Sequence, residues 1–190
     1  IDYPAASRLH TGWIRVKMSN IVIEDVSLVI HSPSFLCKSS REGISVLKNI
    51  STQIRAGHLT ALMGASGSGK TTLLNLLAGK LGKIRYTRTG TITSPPNAMA
   101  YVPQGDFLIP HFTVREYLTF YARLTFRAPI PEINARVEEI MSTLGLLMCA
   151  ETRIGDENTI GISGGERRRV TIASRLLANP SLLFLDEPTT

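Results

Sequence analysis

The chain has 190 residues, enough for one domain with a sizeable core, and its 43% hydrophobic and 19% charged residues are typical of a globular protein and exclude a disordered one. It shows no signal peptide and no apolar run near the roughly 18 residues that a membrane-spanning helix needs, so we expect any membrane domain to lie outside these residues. The net charge of +6 comes from mostly scattered residues, which favours a solvated surface over a nucleic-acid site, and the widely separated Cys37 and Cys149 indicate a reduced, cytosolic compartment.

Strands are predicted first along the chain. Residues 21–30 and 46–54 are rich in β-branched residues, and the polar residues 31–43 between them, with Pro and Gly, favour a loop. The apolar residues 58–63 predict a short buried strand. We therefore expect a small antiparallel layer that leads into an α/β core.

A glycine-rich loop follows this strand. Residues 64–71 fit the pattern G-x-x-x-x-G-K-[ST], in which backbone N–H groups of small residues close around phosphate oxygens. Lys70 would carry a positive charge to the β and γ phosphates, and the Thr71 hydroxyl would bind Mg²⁺. Residues 71–80 predict a helix, whose N-terminus favours anions and argues against an ordinary surface turn. The predicted nucleotide-binding residues are Gly64, Ala65, Ser66, Gly67, Ser68, Gly69, Lys70, Thr71 and Thr72.

A polar stretch comes next. Residues 80–88 contain several Lys and Arg, and we expect an exposed basic turn there. Residues 91–93 and 99–102 are strand candidates on either side of the breaker Pro95-Pro96. Gln104 follows the second candidate closely, so it would lie at the end of that strand.

Two helices are predicted in the middle of the chain. Thr113 and Glu116 have the spacing of a capping box, which indicates where the first helix begins. Pro129 and Pro131 are expected to break the chain, and the second helix is predicted over 132–144. The sequence thus predicts a mostly helical insert within an α/β core.

A second anion site is predicted at Ser163, Gly164, Gly165 and Glu166. Ser163 and Glu166 again have capping-box spacing, and a helix would run from there to about residue 178. The two glycines would leave bare N–H groups at the positive end of the helix dipole, where an anion is favoured.

Two acidic residues follow the last predicted strand. The apolar residues 181–185 favour a strand buried on both faces, and Asp186 and Glu187 come at its carboxyl end, where open α/β sheets bind their ligands. One acid can hold Mg²⁺ through water, and the other can orient or deprotonate an attacking water.

In this order, the motifs resemble those of the nucleotide-binding domain of ABC transporters. The matching features are the P-loop at 64–71, a Q-loop glutamine at Gln104, the signature at 163–166, and a Walker B strand that ends in Asp186 and Glu187 and is followed by Pro188-Thr189-Thr190. The amino-acid sequences of residues 113–118 and 161–170 resemble those of the White-like G subfamily. Its transporters move lipids, sterols, pigments or drugs.

The resemblance implies a P-loop NTPase (RecA-like) α/β fold with a small N-terminal antiparallel layer and a helical insert that carries the signature. It divides the chain into a β layer with the Walker A strand (21–63), the P-loop, its helix and the Q-loop (64–107), a helical subdomain (108–165), and the signature helix with Walker B (166–190). Because the chain begins at Ile1 and stops before the family's D-loop and switch histidine, we expect a C-terminally truncated part of a longer protein.

The resemblance also implies roles for individual residues. Thr71, Gln104 and Asp186 would serve Mg²⁺. Glu187 would be the general base, and Gln104 would complete the catalytic site. Ser163 and Gly165 in the signature of residues 163–166 would contact ATP held by a second nucleotide-binding domain in a head-to-tail dimer. Residues 38–47, where the family places an adenine-stacking aromatic, contain none.

Three functions are compatible with a P-loop. The first is an ATPase domain that acts with a membrane domain of the same parent chain, at the cytoplasmic face of a membrane, with no nucleic-acid partner. The second is a soluble ABC-type ATPase that works on ribosomes or nucleic acid; only 92 residues separate Lys70 from Ser163, without heptads, which argues against the coiled-coil chromosome branch. The third, a GTPase or small-molecule kinase, is disfavoured because no N-K-x-D motif is present.

Overall fold

The computed structural model describes residues 20–31, 43–93, 99–156 and 159–188. Most of the predicted loop at 31–43, the breaker Pro95-Pro96, and Thr189 and Thr190 lie outside the described residues. Within them the chain forms five strands, four α-helices and one 3-10 turn, so the mixed α/β class predicted from the sequence is confirmed.

An antiparallel sheet forms the N-terminal layer. Its strands are β1 (Ile21–Ile30), β2 (Ile44–Ile54) and β3 (Tyr86–Thr93), in the order β2-β1-β3. The predicted layer is confirmed, but β3 begins earlier than the candidate at 91–93 and takes in part of the stretch predicted as a basic turn. The central strand β1 explains the difference, because its second edge pairs with the whole of β3.

The helix α1 (Lys70–Leu77) packs its leucines against the buried face of this sheet. Leu73, Leu76 and Leu77 share one apolar cluster with Ile23 and Leu28 of β1. The β-branched and leucine side chains therefore hold the helix after the glycine loop against this sheet. Burial of such side chains contributes about 1.5–3 kcal/mol each.

The prediction of a strand at 58–63 is wrong for this structure. None of the described strands pairs with these residues, and the side chains of Leu59 and Met63 are 95% and 88% exposed. An apolar run favours a strand only where a neighbouring strand can bond its N–H and C=O groups and cover its side chains. Among the described residues, no strand pairs with residues 58–63 and their large apolar side chains are not covered.

A parallel pair of short strands brings two of the predicted motifs to one edge. The strands β4 (Met99–Val102) and β5 (Leu182–Leu185) run side by side with Val102 opposite Leu185, and the N–H of Asp186 donates to the Val102 carbonyl at 3.0 Å. The strand at 99–102 has the predicted bounds. β5 is less buried than predicted, since Phe184 is its one fully buried residue.

Three helices build a second apolar core. They are α2 (Val114–Thr125), α3 (Ile130–Thr143) and α4 (Gly164–Leu176). Both predicted capping boxes are confirmed, at Thr113 with Glu116 and at Ser163 with Glu166. Between α3 and α4, a 3-10 turn at Leu147–Cys149 places Cys149 in the core, where its thiol donates to the Leu146 carbonyl at 3.3 Å.

The sequence predicts that Pro129 and Pro131 both break the chain, but in the structure they lie at the start of a helix. Pro129 is the N-cap of α3, and Pro131 lies inside its first turn. Proline is tolerated there because the first N–H groups of a helix have no intrahelical partner and the fixed φ suits the helix.

Candidate functional site

The loop before α1 has a backbone that requires glycine. Gly69 has φ +89°, and a Cβ on it would lie 3.0 Å from Leu47 Cδ2 and 3.2 Å from the Val46 carbonyl oxygen. A Cβ on Gly64 would lie 2.8 Å from Ser68 Oγ. At Gly64 and Gly69 the loop therefore closes on itself and against β2 too tightly for a Cβ, which fits a cradle of backbone N–H groups.

The Lys70 amine points back into this loop. Its Nζ donates to the carbonyl oxygens of Gly64 and Ala65, both at 2.8 Å. Phosphate oxygens are stronger partners for an ammonium than neutral carbonyls, because they carry formal negative charge. The amine is thus held where an anion bound in the loop would attract it.

Asp186 joins the loop helix to the parallel strands. Its carboxylate is buried, and its two oxygens accept hydrogen bonds from Thr71 Oγ1 and from the Tyr101 hydroxyl, each at 3.1 Å. Thr71 and Asp186, predicted as Mg²⁺ ligands from distant parts of the sequence, therefore lie next to each other. Hydroxyl and carboxylate oxygens are the donors that Mg²⁺ prefers, together with phosphates and water.

Tyr101 is a site residue that the sequence analysis missed. Burial raises the pKa of its phenol to about 12, and the charge and hydrogen bond of Asp186 add to this. The phenol therefore stays protonated and keeps donating to the carboxylate. A hydroxyl-bearing residue in a buried strand was the available signal, but only the pairing of β4 with β5 identifies its partner.

Gln104 and Glu187 meet beyond the ends of β4 and β5. Gln104 Nε2 donates to Glu187 Oε2 at 2.6 Å, and both residues are exposed. Glu187 has φ +47°, in the left-handed region that non-glycine residues rarely adopt. An amide and a carboxylate thus face solvent next to the buried Asp186.

The signature residues lie at the exposed N-terminus of α4. The Glu166 carboxylate accepts from the Ser163 N–H at 2.8 Å and from the Ser163 hydroxyl at 2.7 Å, and these bonds lower the pKa of Glu166. Ser163, Gly164 and Gly165 are exposed. The structure therefore brings together the P-loop, Asp186, Gln104 and Glu187 on one side, whereas every hydrogen bond described for Ser163 is local.

The residues present fit a Mg²⁺–nucleotide complex better than a metal held by protein alone. Within the described residues, no three His, Cys, Asp or Glu side chains gather in a group that could hold a metal ion. Mg²⁺ bound with a nucleotide needs only one or two protein ligands, because phosphates and water supply the rest. The pair of Thr71 and Asp186 meets that need.

Comparison with known proteins identifies relatives of this chain. A protein family described as "ABC transporter" matches residues 47–190. ABC transporter G family member 21 of Arabidopsis thaliana is 45% identical over 99% of this chain and 30% of its own length. ABC transporter G family member 1 of Dictyostelium discoideum is 44% identical over 80% of the chain and 21% of its own length.

A third relative is an uncharacterized ABC transporter ATP-binding protein/permease of Saccharomyces cerevisiae, 36% identical over 95% of this chain and 16% of its own length. The chain thus spans less than a third of each of these three relatives. Among the helices of the described residues, none has the length and apolarity to cross a membrane.

Proposed function

The chain belongs to the ABC transporter family, and from that premise we propose that it binds ATP with Mg²⁺ and, in a complete protein, hydrolyses ATP to drive transport across a membrane. One observation carries the proposal. The P-loop lysine, the buried Asp186 bonded to Thr71, and the Gln104–Glu187 pair converge although they are far apart in the sequence.

Each residue has a role that its surroundings suit. Backbone of residues 64–71 cradles the phosphates, and Lys70 exchanges its carbonyl partners for phosphate oxygens. Thr71 and Asp186 would hold Mg²⁺, and the bound ion would supply positive charge against the phosphates. Glu187 accepts a proton from, or orients, the attacking water, and Gln104 holds the Glu187 carboxylate in place.

The signature would act on a second copy of the site. Ser163, Gly164 and Gly165 are exposed at a capped helix N-terminus, which suits contact with the γ-phosphate of ATP bound by another nucleotide-binding domain in a head-to-tail dimer. Glu166 is engaged with Ser163, so its role is to hold the serine and the bare N–H groups in position.

The transport partner and the substrate class are also part of the proposal. Several relatives are members of the G family of ABC transporters by name. We extend this to a membrane domain in the same parent chain, a location at the cytoplasmic face of the membrane, and a lipid-like, sterol, pigment or drug substrate. The G-family names of the relatives favour this function over the alternative of a soluble ATPase that acts on ribosomes or nucleic acid.

Lys70→Ala in the full-length protein tests the phosphate-binding role. We expect ATP hydrolysis to fall at least about a hundredfold at saturating Mg·ATP, because the phosphate charge loses its partner in a partly enclosed loop. Phosphate release by purified protein in lipid vesicles measures this, with the wild type and Lys83→Ala, an exposed lysine, as controls. Unchanged turnover by Lys70→Ala would reject the assignment, and a wild type that hydrolyses no ATP would reject the function.

A further inference from the structure

Arg168 is a buried cation that no predicted role explains. It lies in α4, five residues after Ser163, and is 4% exposed; no other Lys or Arg of the described residues is buried. Burying a guanidinium is unfavourable unless its donors are satisfied, and a buried ion pair is weak evidence for stability. An apolar residue would suit a helix core better, so the contacts of Arg168 point to a geometric role.

The two ends of the guanidinium hold two different chain segments. Nη1 donates to the Pro103 carbonyl at 2.6 Å, to the Gln104 carbonyl at 3.3 Å and to Asp106 Oδ1 at 3.2 Å. Nη2 donates to the carbonyls of Asp186 at 2.5 Å and Glu187 at 3.0 Å. One rigid planar group thus spans from the Gln104 segment to the Glu187 segment.

These two segments carry the side chains of Gln104 and Glu187, which contact each other. Gln104 and Glu187 touch through a side-chain hydrogen bond of 2.6 Å, and Glu187 has the rare φ of +47°. Such backbone conformations persist where their surroundings hold them. Two of the five bonds of Arg168 reach the carbonyls of Asp186 and Glu187, on either side of that φ angle, so they restrain the strained turn directly.

We propose that Arg168 is a positioning residue for ATP hydrolysis. It fixes the Gln104 and Glu187 segments at the separation at which the amide meets the carboxylate. Because Ser163 is the N-cap of α4, the helix that contains Arg168, Arg168 also fixes that pair relative to the signature. The inference rests on the proposed hydrolysis at Glu187, but its geometric part is independent of activity.

The kinetic test compares two arginines of the same helix in the full-length protein. Arg168→Lys keeps the charge, but a single ammonium cannot reach both sets of carbonyls. We expect kcat to fall about tenfold or more while the Kd for Mg·ATP changes less than about threefold, the pattern of a lost transition-state arrangement. The control is Arg175→Lys, which alters a half-buried arginine that contacts Tyr121 of α2; we expect it to keep wild-type kcat and Kd.

A second measurement reads the geometry without activity. Hydrogen–deuterium exchange of the full-length protein should become faster in Arg168→Lys in peptides that cover residues 103–107 and 186–188, and should stay at the wild-type rate there in Arg175→Lys. Faster exchange in both peptides together with the kcat loss supports the proposal.

Two outcomes would overturn it. One is unchanged exchange in either peptide of Arg168→Lys. The other is wild-type kcat per folded molecule with only a lower melting temperature, which would make Arg168 a stabilising residue and nothing more. A wild type without ATPase activity would instead refute the proposed function, and the exchange experiment would still decide the geometric claim.

Discussion

Removing one hydroxyl from the buried Asp186 site gives a measurable stability change. Tyr101→Phe leaves the ring in the core, where Tyr101 is 7% exposed, but removes the 3.1 Å bond to Asp186 Oδ2. A hydrogen bond to a charged group contributes about 1.5–3 kcal/mol, and each kcal/mol shifts the melting temperature of a domain of this size by roughly 2–4 °C. We therefore expect a melting temperature about 3–12 °C below the wild type.

The assay is thermal unfolding of the full-length protein without nucleotide at neutral pH. Tyr86→Phe is the matched control, because Tyr86 is 44% exposed on β3 and its change should alter stability by less than about 0.5 kcal/mol. A Tyr101→Phe melting temperature equal to that of Tyr86→Phe would refute the reasoning, since the second carboxylate oxygen would then be satisfied without the phenol.

The raised pKa of Tyr101 also makes folding stability depend on pH in the alkaline range. Its folded value of about 12 lies above the ordinary 10.0. The folded state therefore keeps a proton that the unfolded state loses. This contribution to stability is fully present below pH 10 and disappears as the pH rises from 10 towards 12. Stability of the wild type should decline over that interval more than that of Tyr101→Phe, as chemical denaturation at stepped pH can measure.

Two further predictions concern the catalytic carboxylate and the isolated chain. In the full-length protein, Glu187→Gln should keep the Kd for Mg·ATP within about threefold of the wild type, because the amide keeps the shape of the side chain. It should lower hydrolysis at least about a hundredfold and trap a nucleotide-bound dimer, because the base is lost. Nucleotide retention on size-exclusion chromatography measures the trapped dimer, and wild-type turnover would show that Glu187 is not the base. Residues 1–190 alone should lack a sharp thermal transition, because residues 58–63 leave large apolar side chains exposed to water next to the P-loop. A cooperative melt that Mg·ATP shifts upward would contradict this.

Local signals in the sequence were enough to predict the helix starts. Thr113 with Glu116 and Ser163 with Glu166 place a side-chain acceptor and a carboxylate within one turn, so the four residues of each box determine the helix start by themselves. The P-loop glycines are similar, since their pattern already specifies the backbone. Such features need no information about distant parts of the chain.

Tertiary partners could not be predicted in the same way. Residues 58–63 have the composition of a strand, yet strand formation depends on a neighbour that composition does not reveal. Arg168 lies in a run of three arginines, and only the packing of α4 on β4 decides which of the three turns inward. Tyr101 likewise becomes a site residue only when β4 pairs with β5.

The buried thiol of Cys149 can report how often the helical core opens. Burial raises the pKa of this thiol, and the Glu166 carboxylate raises it further. While the core is closed, alkylating reagents therefore cannot reach the thiol and find little of the thiolate with which they react. Once Cys37 is replaced by serine and any cysteines elsewhere in the full-length protein are replaced too, the rate of alkylation gives the frequency with which α2, α3 and α4 separate. Because Cys149 packs in the same apolar core as the signature helix, a nucleotide-dependent change in that rate would time the motion of the helices separately from the chemistry.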